Sequence, residues 1–249
     1  MNDVIETILN HRSIRSFEEK ALTAEQIETI IRSAQAASTS SFIQGYTIIG
    51  VKDREKKQKL AELAGGQSYV ENNGHFFVFC GDLNRHRILA EMEGTDLQVP
   101  LESTEKFMVA CIDAALAAQN AALAAESMGL GICYIGGIRN DLPSVCDLLN
   151  IPDGVLPLFG MAVGYPNKIN DKKPRLPIEN IYHENGYNTD EASFRKQLTN
   201  YNETISDYYE ERTDGKRKDT WTEQMVQMIG AKSRMYMKEF VEERNMNKR

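Results

Sequence analysis

The sequence predicts an α+β fold, a layered domain in which a sheet of buried strands is flanked by helices. Three observations predict it. Segments with the helical spacing of apolar residues alternate with short apolar runs as far as residue 165. One of those runs, HFFVFCG from His75 to Gly81, is apolar throughout, as in a strand buried on both faces. The stretch from Glu105 to Met128 carries small side chains nearly all round, which suits a helix approached closely by other backbones.

The elements follow in order. Val4, Ile5, Ile8 and Leu9 give residues 2–10 the spacing of a short amphipathic helix, which runs into HRSIRSF (His11 to Phe17). Thr23 opens a second helix: TAEQ is a capping box, and Ile27, Ile30, Ile31 and Ala34 continue the period. Ser38, Thr39, Ser40 and Ser41 end it in a polar loop. Tyr46 to Val51 reads as a strand, and Arg54 to Ala64 as a charged helix stopped by Gly65 and Gly66. The polar run from Arg85 to Ser103 reads as irregular, either a mobile lid or a plain surface excursion. After the alanine-rich helix come a short strand from Cys133 to Ile138, a helix near Leu142 to Leu149 and a strand from Val155 to Val163. Residues 1–190 are expected to form the main domain. Residues 191–249 read as a charged helical extension with one apolar seam through Met225, Ile229 and Phe240, wrapping the main domain or a partner.

Composition narrows the function. A net charge of -7 argues against a general nucleic-acid binder. No run approaches eighteen consecutive apolar residues, so no membrane span is expected. The first ten residues hold Asp3 and Glu6 rather than a basic start and an apolar run, so a cytoplasmic location is expected. Cys80, Cys111, Cys133 and Cys146 are far apart and in mostly apolar surroundings; they read as buried free thiols. With no CxxC and no histidine at ligand spacing, no metal is expected.

The signatures GxGxxG, GxxxxGK[ST] and GxSxG are missing. GLGICYIGG (Gly129 to Gly137) is either a helix stop, strand and turn, or a place where Gly136 and Gly137 bring backbone N–H groups against a planar ligand. Basic residues are more informative. Arg12 and Arg15 are three apart, on one side of any helical turn, with His11 and Ser13 beside them; guanidinium suits phosphate, and hydroxyl or imidazole suits ribityl oxygens. Lys173 and Arg175 flank Pro174 in a stiff stretch. Arg212 and the Lys216, Arg217, Lys218 run precede Trp221. Each cluster is either solvated surface or part of an anion site.

HRSIRSF, STSSF (Ser38 to Phe42), GGQ (Gly65 to Gln67), AAQNAALAAESMGLG, YIGG (Tyr134 to Gly137), LPLFG, KPRLP and KRKDTW occur in one order along nearly the whole chain. In these motifs the chain resembles the oxygen-insensitive nitroreductase and flavin reductase family, in its nitroreductase A branch. The resemblance implies a nitroreductase-like fold with a central mixed or antiparallel sheet flanked by helices. It also implies an intertwined homodimer with a C-terminal helical extension and two FMN sites at the interface.

By that similarity His11, Arg12, Ser13 and Arg15 hold the ribityl chain and phosphate of FMN, and Lys173 and Arg175 close on the phosphate. Gln67 and the backbone of Tyr134, Ile135, Gly136 and Gly137 line the ring. Thr39, Ser40 and Ser41 come from the other subunit, Thr39 standing where the family pattern has serine. Arg212 and Arg217 match the arginines that meet the extra phosphate of NADPH. The implied activity is a ping-pong transfer of reducing equivalents from NADPH, or NADH, to free flavin, a nitroaromatic or a quinone. The flavin carries the chemistry, so no protein group is expected to act as the catalytic acid or base. The alternatives are the same flavoenzyme acting on a quinone, chromate or another small oxidant, and a non-redox flavin-binding member of the fold.

Overall fold

The computed structural model describes residues 2–249. Its elements are α1 (Asp3–Leu9), α2 (Ala24–Gln35), β1 (Tyr46–Val51), α3 (Arg54–Leu63), α4 (Ser68–Glu71), β2 (His75–Asp82), α5 (Asn84–Met92), α6 (Gln98–Leu101), α7 (Thr104–Ser127), β3 (Gly131–Ile135), α8 (Leu142–Leu149), β4 (Val155–Gly164), α9 (Glu191–Arg212), α10 (Trp221–Gly230) and α11 (Met237–Glu243). The chain divides into two compact units: residues up to 170 together with 234–249, and residues 171–233.

The first unit is built on a four-stranded sheet in the order β1-β2-β4-β3, antiparallel throughout. β2 is buried at every position, as its unbroken apolar run predicts. Its alternating side chains feed two cores. Phe77 and Phe79 pack with α2 and the alanines of α7, while Phe76, Val78 and Cys80 pack with Leu60, Leu142, Val145 and Phe240 on the other face. Ala110, Ala114, Ala117, Ala118, Ala121, Ala122 and Ala125 leave almost no surface exposed, so α7 lies backbone-close to its neighbours. By length and composition α7 is apolar enough to cross a bilayer, and here that apolarity serves the interior of the unit. The Thr23 capping box forms, with Gln26 N donating to Thr23 Oγ1 and Thr23 N to Gln26 Oε1.

Several expectations need correction. Residues 84–101 are not an irregular loop but carry α5 and α6. Asp82 Oδ1 accepts from the amide of Asn84 at 3.0 Å, an Arg87–Glu91 pair staples one face, and Ala90 is buried. The polar surface hid the helical period. The boundary drawn at residue 190 also differs from the division at 170 and 233. Leu176 packs with Tyr201, Ile205 and Tyr209, and Tyr201 donates its hydroxyl to the Pro174 carbonyl at 2.9 Å, which ties residues 174–176 to α9. The tail from residue 234 returns to the first unit through buried Phe240, Val241 and Met246. The apolar seam through Met225, Ile229 and Phe240 is therefore not one seam: Phe240 is core, and Ile229 is 80% exposed. Cys80, Cys133 and Cys146 are buried free thiols, whereas Cys111 is half-buried.

His75 opens β2 only 3% exposed, its ring tilted on Phe77 at 4.4 Å, and its Nε2 meets no partner among the described residues. Burial, helped by the charges of Lys52 and Lys57, pushes its pKa down to about 4. The unfolded chain binds this proton near pH 6.5 and the native chain does not. Stability from this site is therefore complete above about pH 6.5 and is lost as pH falls towards 4, by roughly 3 kcal/mol in all. Urea unfolding at pH 7.0 and 4.5 should show a smaller loss on acidification for His75→Phe than for the parent; equal losses would refute the assignment.

Candidate functional site

The segment containing Ser13 and Arg15 lies along the outer edge of β3. Ser13 bridges Ile132 in parallel sense, and the amide of Ile14 donates to the Ile132 carbonyl at 2.8 Å. Ile14 points inward and is 3% exposed. Opposite it, Gly131 has no room for a side chain, because a Cβ there would stand 2.5 Å from Ile14 Cγ1. An extended segment alternates its side chains, so Ser13 and Arg15 are presented on the other face from Ile14. The helical turn expected to align Arg12 with Arg15 is therefore not formed. Arg12 instead donates through Nε to the Asn10 carbonyl at 3.0 Å and through Nη1 to the Asn170 carbonyl at 3.5 Å.

The Arg15 guanidinium lies near the Tyr69 hydroxyl and the Cys133 thiol, and the Ser13 side chain lies near that thiol as well. Burial raises the pKa of both Tyr69 and Cys133, and the guanidinium opposes it in each case. Tyr69 lies in α4, which begins directly after Gln67. The turn before Gln67 also meets the end of β3: a Cβ on Gly137 would stand 2.5 Å from the Ala64 carbonyl. Gly137 is thus required by packing between protein segments, and a Cβ on Gly136 would meet the Arg139 guanidinium at 3.1 Å. The result is one neighbourhood formed by Ser13, Arg15, the turn carrying Gln67, and the strand end Tyr134, Ile135, Gly136 and Gly137.

His11 is fixed by a residue that sequence reasoning did not single out. Its Nδ1 lies 2.7 Å from Glu126 Oε1 near the end of α7. A carboxylate only accepts, so the imidazole carries its proton on Nδ1 and turns Nε2 away from α7. Burial raises the pKa of Tyr134, with a smaller push from the Glu126 charge.

Thr39, Ser40 and Ser41 are not brought to this neighbourhood. They precede β1, at the opposite sheet edge from β3. Their loop is held by a second unanticipated acid, Asp113 of α7, which is fully buried and accepts from the amides of Ser40 and Gly45, both at 2.9 Å. His86 Nε2 meets the Ile43 carbonyl at 2.8 Å, and Arg85 donates to the Gln44 carbonyl at 3.2 Å. These contacts impose left-handed backbone on Ser41, Phe42 and Gln44, with φ of 49°, 60° and 55°. Each such residue costs on the order of 1–3 kcal/mol, so the loop persists because its surroundings over-determine it. A hollow of about 1450 Å³ borders this loop and runs along the outer edge of β1. Of the anticipated residues only Ser41 lines it.

The remaining basic candidates lie in the second unit. Lys173 Nζ donates to the Tyr209 hydroxyl at 2.8 Å, and the Arg175 charge lies near the Tyr201 phenol. Arg212 donates to the Tyr208 hydroxyl at 2.7 Å. Arg217 pairs through Nε with Asp219 at 2.6 Å, its guanidinium 4.4 Å from the Tyr209 ring centre. Among the described residues there is no group of three or more His, Cys, Asp or Glu side chains placed to hold a metal ion.

Replacing Asp113 by alanine strips the acceptor from two loop amides and should cost roughly 3 kcal/mol. Asp113→Asn keeps one acceptor oxygen and should cost less. Urea denaturation gives the size, and faster hydrogen exchange at Ser40 and Gly45 gives the place; unchanged exchange there would rule out the clamp.

Residues 8–165 match the family described as the nitroreductase family, and residues 173–249 match its C-terminal domain. A Bacillus subtilis (strain 168) protein named FMN reductase (NADPH) is 60% identical over 248 residues, covering 100% of both chains. Among solved structures, NfrA1 of Bacillus megaterium superposes with a TM-score of 0.98 at 65% identity, over 99% of this chain and 100% of that one. The NADPH:FMN oxidoreductase of Vibrio harveyi, solved with NAD+, superposes with a TM-score of 0.89 at 39% identity over 100% of both chains.

Proposed function

Because the chain belongs to the nitroreductase family, we propose that it is an FMN-containing, NAD(P)H-dependent oxidoreductase that reduces free flavin, nitroaromatics or quinones, with NADPH favoured. The observation that carries this reading is the convergence of Ser13, Arg15, the Gln67 turn and the strand end 134–137 at one edge of the sheet. These residues supply hydroxyl, guanidinium, amide and backbone donors beside the end of β3 and the turn that follows it, a donor set that fits FMN.

When bound, FMN supplies the hydride chemistry that joins the reduced nicotinamide to the acceptor. The chain's own residues bind and orient. Arg15 and Ser13 would hold the polar tail, and Glu126 holds His11 in one orientation. Gln67 and the backbone of 134–137 would line the ring. Lys173 and Arg175 are assigned to the phosphate by family resemblance, as is Arg12, whose guanidinium spends two of its five N–H donors on carbonyls here. Arg212 and Arg217 are assigned to the 2′-phosphate of NADPH.

The placement of Thr39, Ser40 and Ser41 at the far sheet edge supports their acting on the partner's FMN in a homodimer. Two further features support that assembly. The edge of β1 is unpaired beside a large hollow, and Met108, Ile112 and Leu116 expose an apolar stripe along α7. A cytoplasmic setting agrees with four free cysteines.

Anaerobic stopped-flow bleaching of the FMN-loaded protein tests the reading. NADPH should bleach faster than NADH, and Arg217→Gln should remove most of that preference. A yellow protein that neither nucleotide bleaches would refute the reductase assignment; equal NADPH and NADH rates would make the basic loop plain surface.

A further inference from the structure

The second unit places two residues with different assigned ligands on one side chain. Tyr209, 7% exposed on α9, receives Lys173 and Arg217 at once. Its hydroxyl accepts from Lys173 Nζ at 2.8 Å and donates to Gln224 Oε1 at 3.1 Å, which completes the phenol's usual donor and acceptor roles. Gln224 is itself held, donating through Nε2 to the Thr220 carbonyl at 3.1 Å.

The ring takes the other cation. Arg217 lies over it at 4.4 Å, within the range of a cation–π contact. Its backbone is tied to the same residue: the Arg217 amide donates to Thr213 Oγ1 at 3.0 Å, and that hydroxyl donates to the Tyr209 carbonyl at 2.6 Å. Asp219 occupies Arg217 Nε at 2.6 Å. Among the described residues nothing accepts from the two Nη atoms, so the outer part of the guanidinium fork is available to an anion.

We propose that Tyr209 is a positioning residue shared by the two phosphate-binding groups: its hydroxyl orders Lys173 for the phosphate of FMN, and its ring and carbonyl order Arg217 for the 2′-phosphate of the nicotinamide nucleotide. The proposal rests on the roles given to Lys173 and Arg217 under the proposed function. Holding a lysine or arginine in one rotamer before the ligand arrives removes an entropy cost from binding. One phenol thus sets the readiness of both sites: its ring lies near both cations, Arg217 at 4.4 Å and Lys173 at 5.1 Å, while its hydroxyl serves Lys173 and not Arg217.

The test uses the full chain and two equilibrium readouts besides turnover. FMN affinity is measured by fluorescence quenching on FMN-stripped protein, and 2′,5′-ADP affinity by calorimetry on FMN-loaded protein. Tyr209→Phe keeps the ring and removes the hydroxyl; it should weaken FMN roughly three- to tenfold and leave 2′,5′-ADP within about twofold. Tyr209→Leu removes the ring as well and should weaken both ligands. In a Lys173→Met background, Tyr209→Phe should have no further effect on FMN.

A purely structural role for Tyr209 would move both ligands together and would not vanish with Lys173. Lys173→Met and Arg217→Gln serve as references. If they weaken FMN and 2′,5′-ADP respectively while Tyr209→Phe leaves FMN unchanged, the proposal fails and the site assignments stand. If neither reference variant weakens its ligand, the assignments fail and the proposal with them. Should Tyr209→Leu not fold, the phenylalanine variant alone decides.

Discussion

The close approach of α7 to the sheet is the constraint from which the rest of the first unit follows. Gly45 and Gly81 flank the point of nearest contact, where a Cβ on either would stand 3.3 Å from atoms of Ala110. Such an approach needs small residues on both sides, and the alanine run supplies one of them. A helix so placed becomes a ruler. Asp113 and Glu126 lie thirteen positions apart, about 20 Å along the axis, and each fixes a different functional segment. Asp113 clamps the loop before β1, and Glu126 orients His11. The two acids are polar exceptions on an apolar helix, and each is matched to a partner far away in sequence.

That arrangement explains what was legible beforehand. Local chemistry reads well: the Thr23 capping box, the glycine stop after α3 and the doubly buried β2 all depend on neighbours within a few residues. Segment convergence reads through family motifs, because HRSIR, GGQ and YIGG were recognised as a set. Asp113 and Glu126 were not legible, since an acid within an alanine helix resembles a solvated position until the loop it holds is in view. α5 was missed for a related reason. Exposed Ile88 and Leu89 are adjacent, and only one side of the helix is covered, so its period is weak.

Arg12 and Arg15 show the limit of spacing arguments. Three positions apart means the same side only if the backbone is helical, and the Ser13–Ile132 bridge makes it extended. The second unit teaches the complementary point. Its basic loop looked like solvated surface, yet Arg217, Arg212 and Lys173 each rest on a tyrosine of α9. Only Arg212 and Tyr208 share the helical period, four apart on α9; Lys173 and Arg217 reach Tyr209 from other stretches of chain, where aromatic support for a cation leaves no periodic trace.

The open flank of β1 sets a condition on biogenesis. YTIIGV is a six-residue run with no charge and no proline, and its unpaired backbone groups can template intermolecular sheet growth. Lys52, Asp53 and Arg54 follow it at once, an arrangement of gatekeepers that repels stacked copies. A newly made chain therefore carries its own protection against aggregation in the interval before that flank is covered.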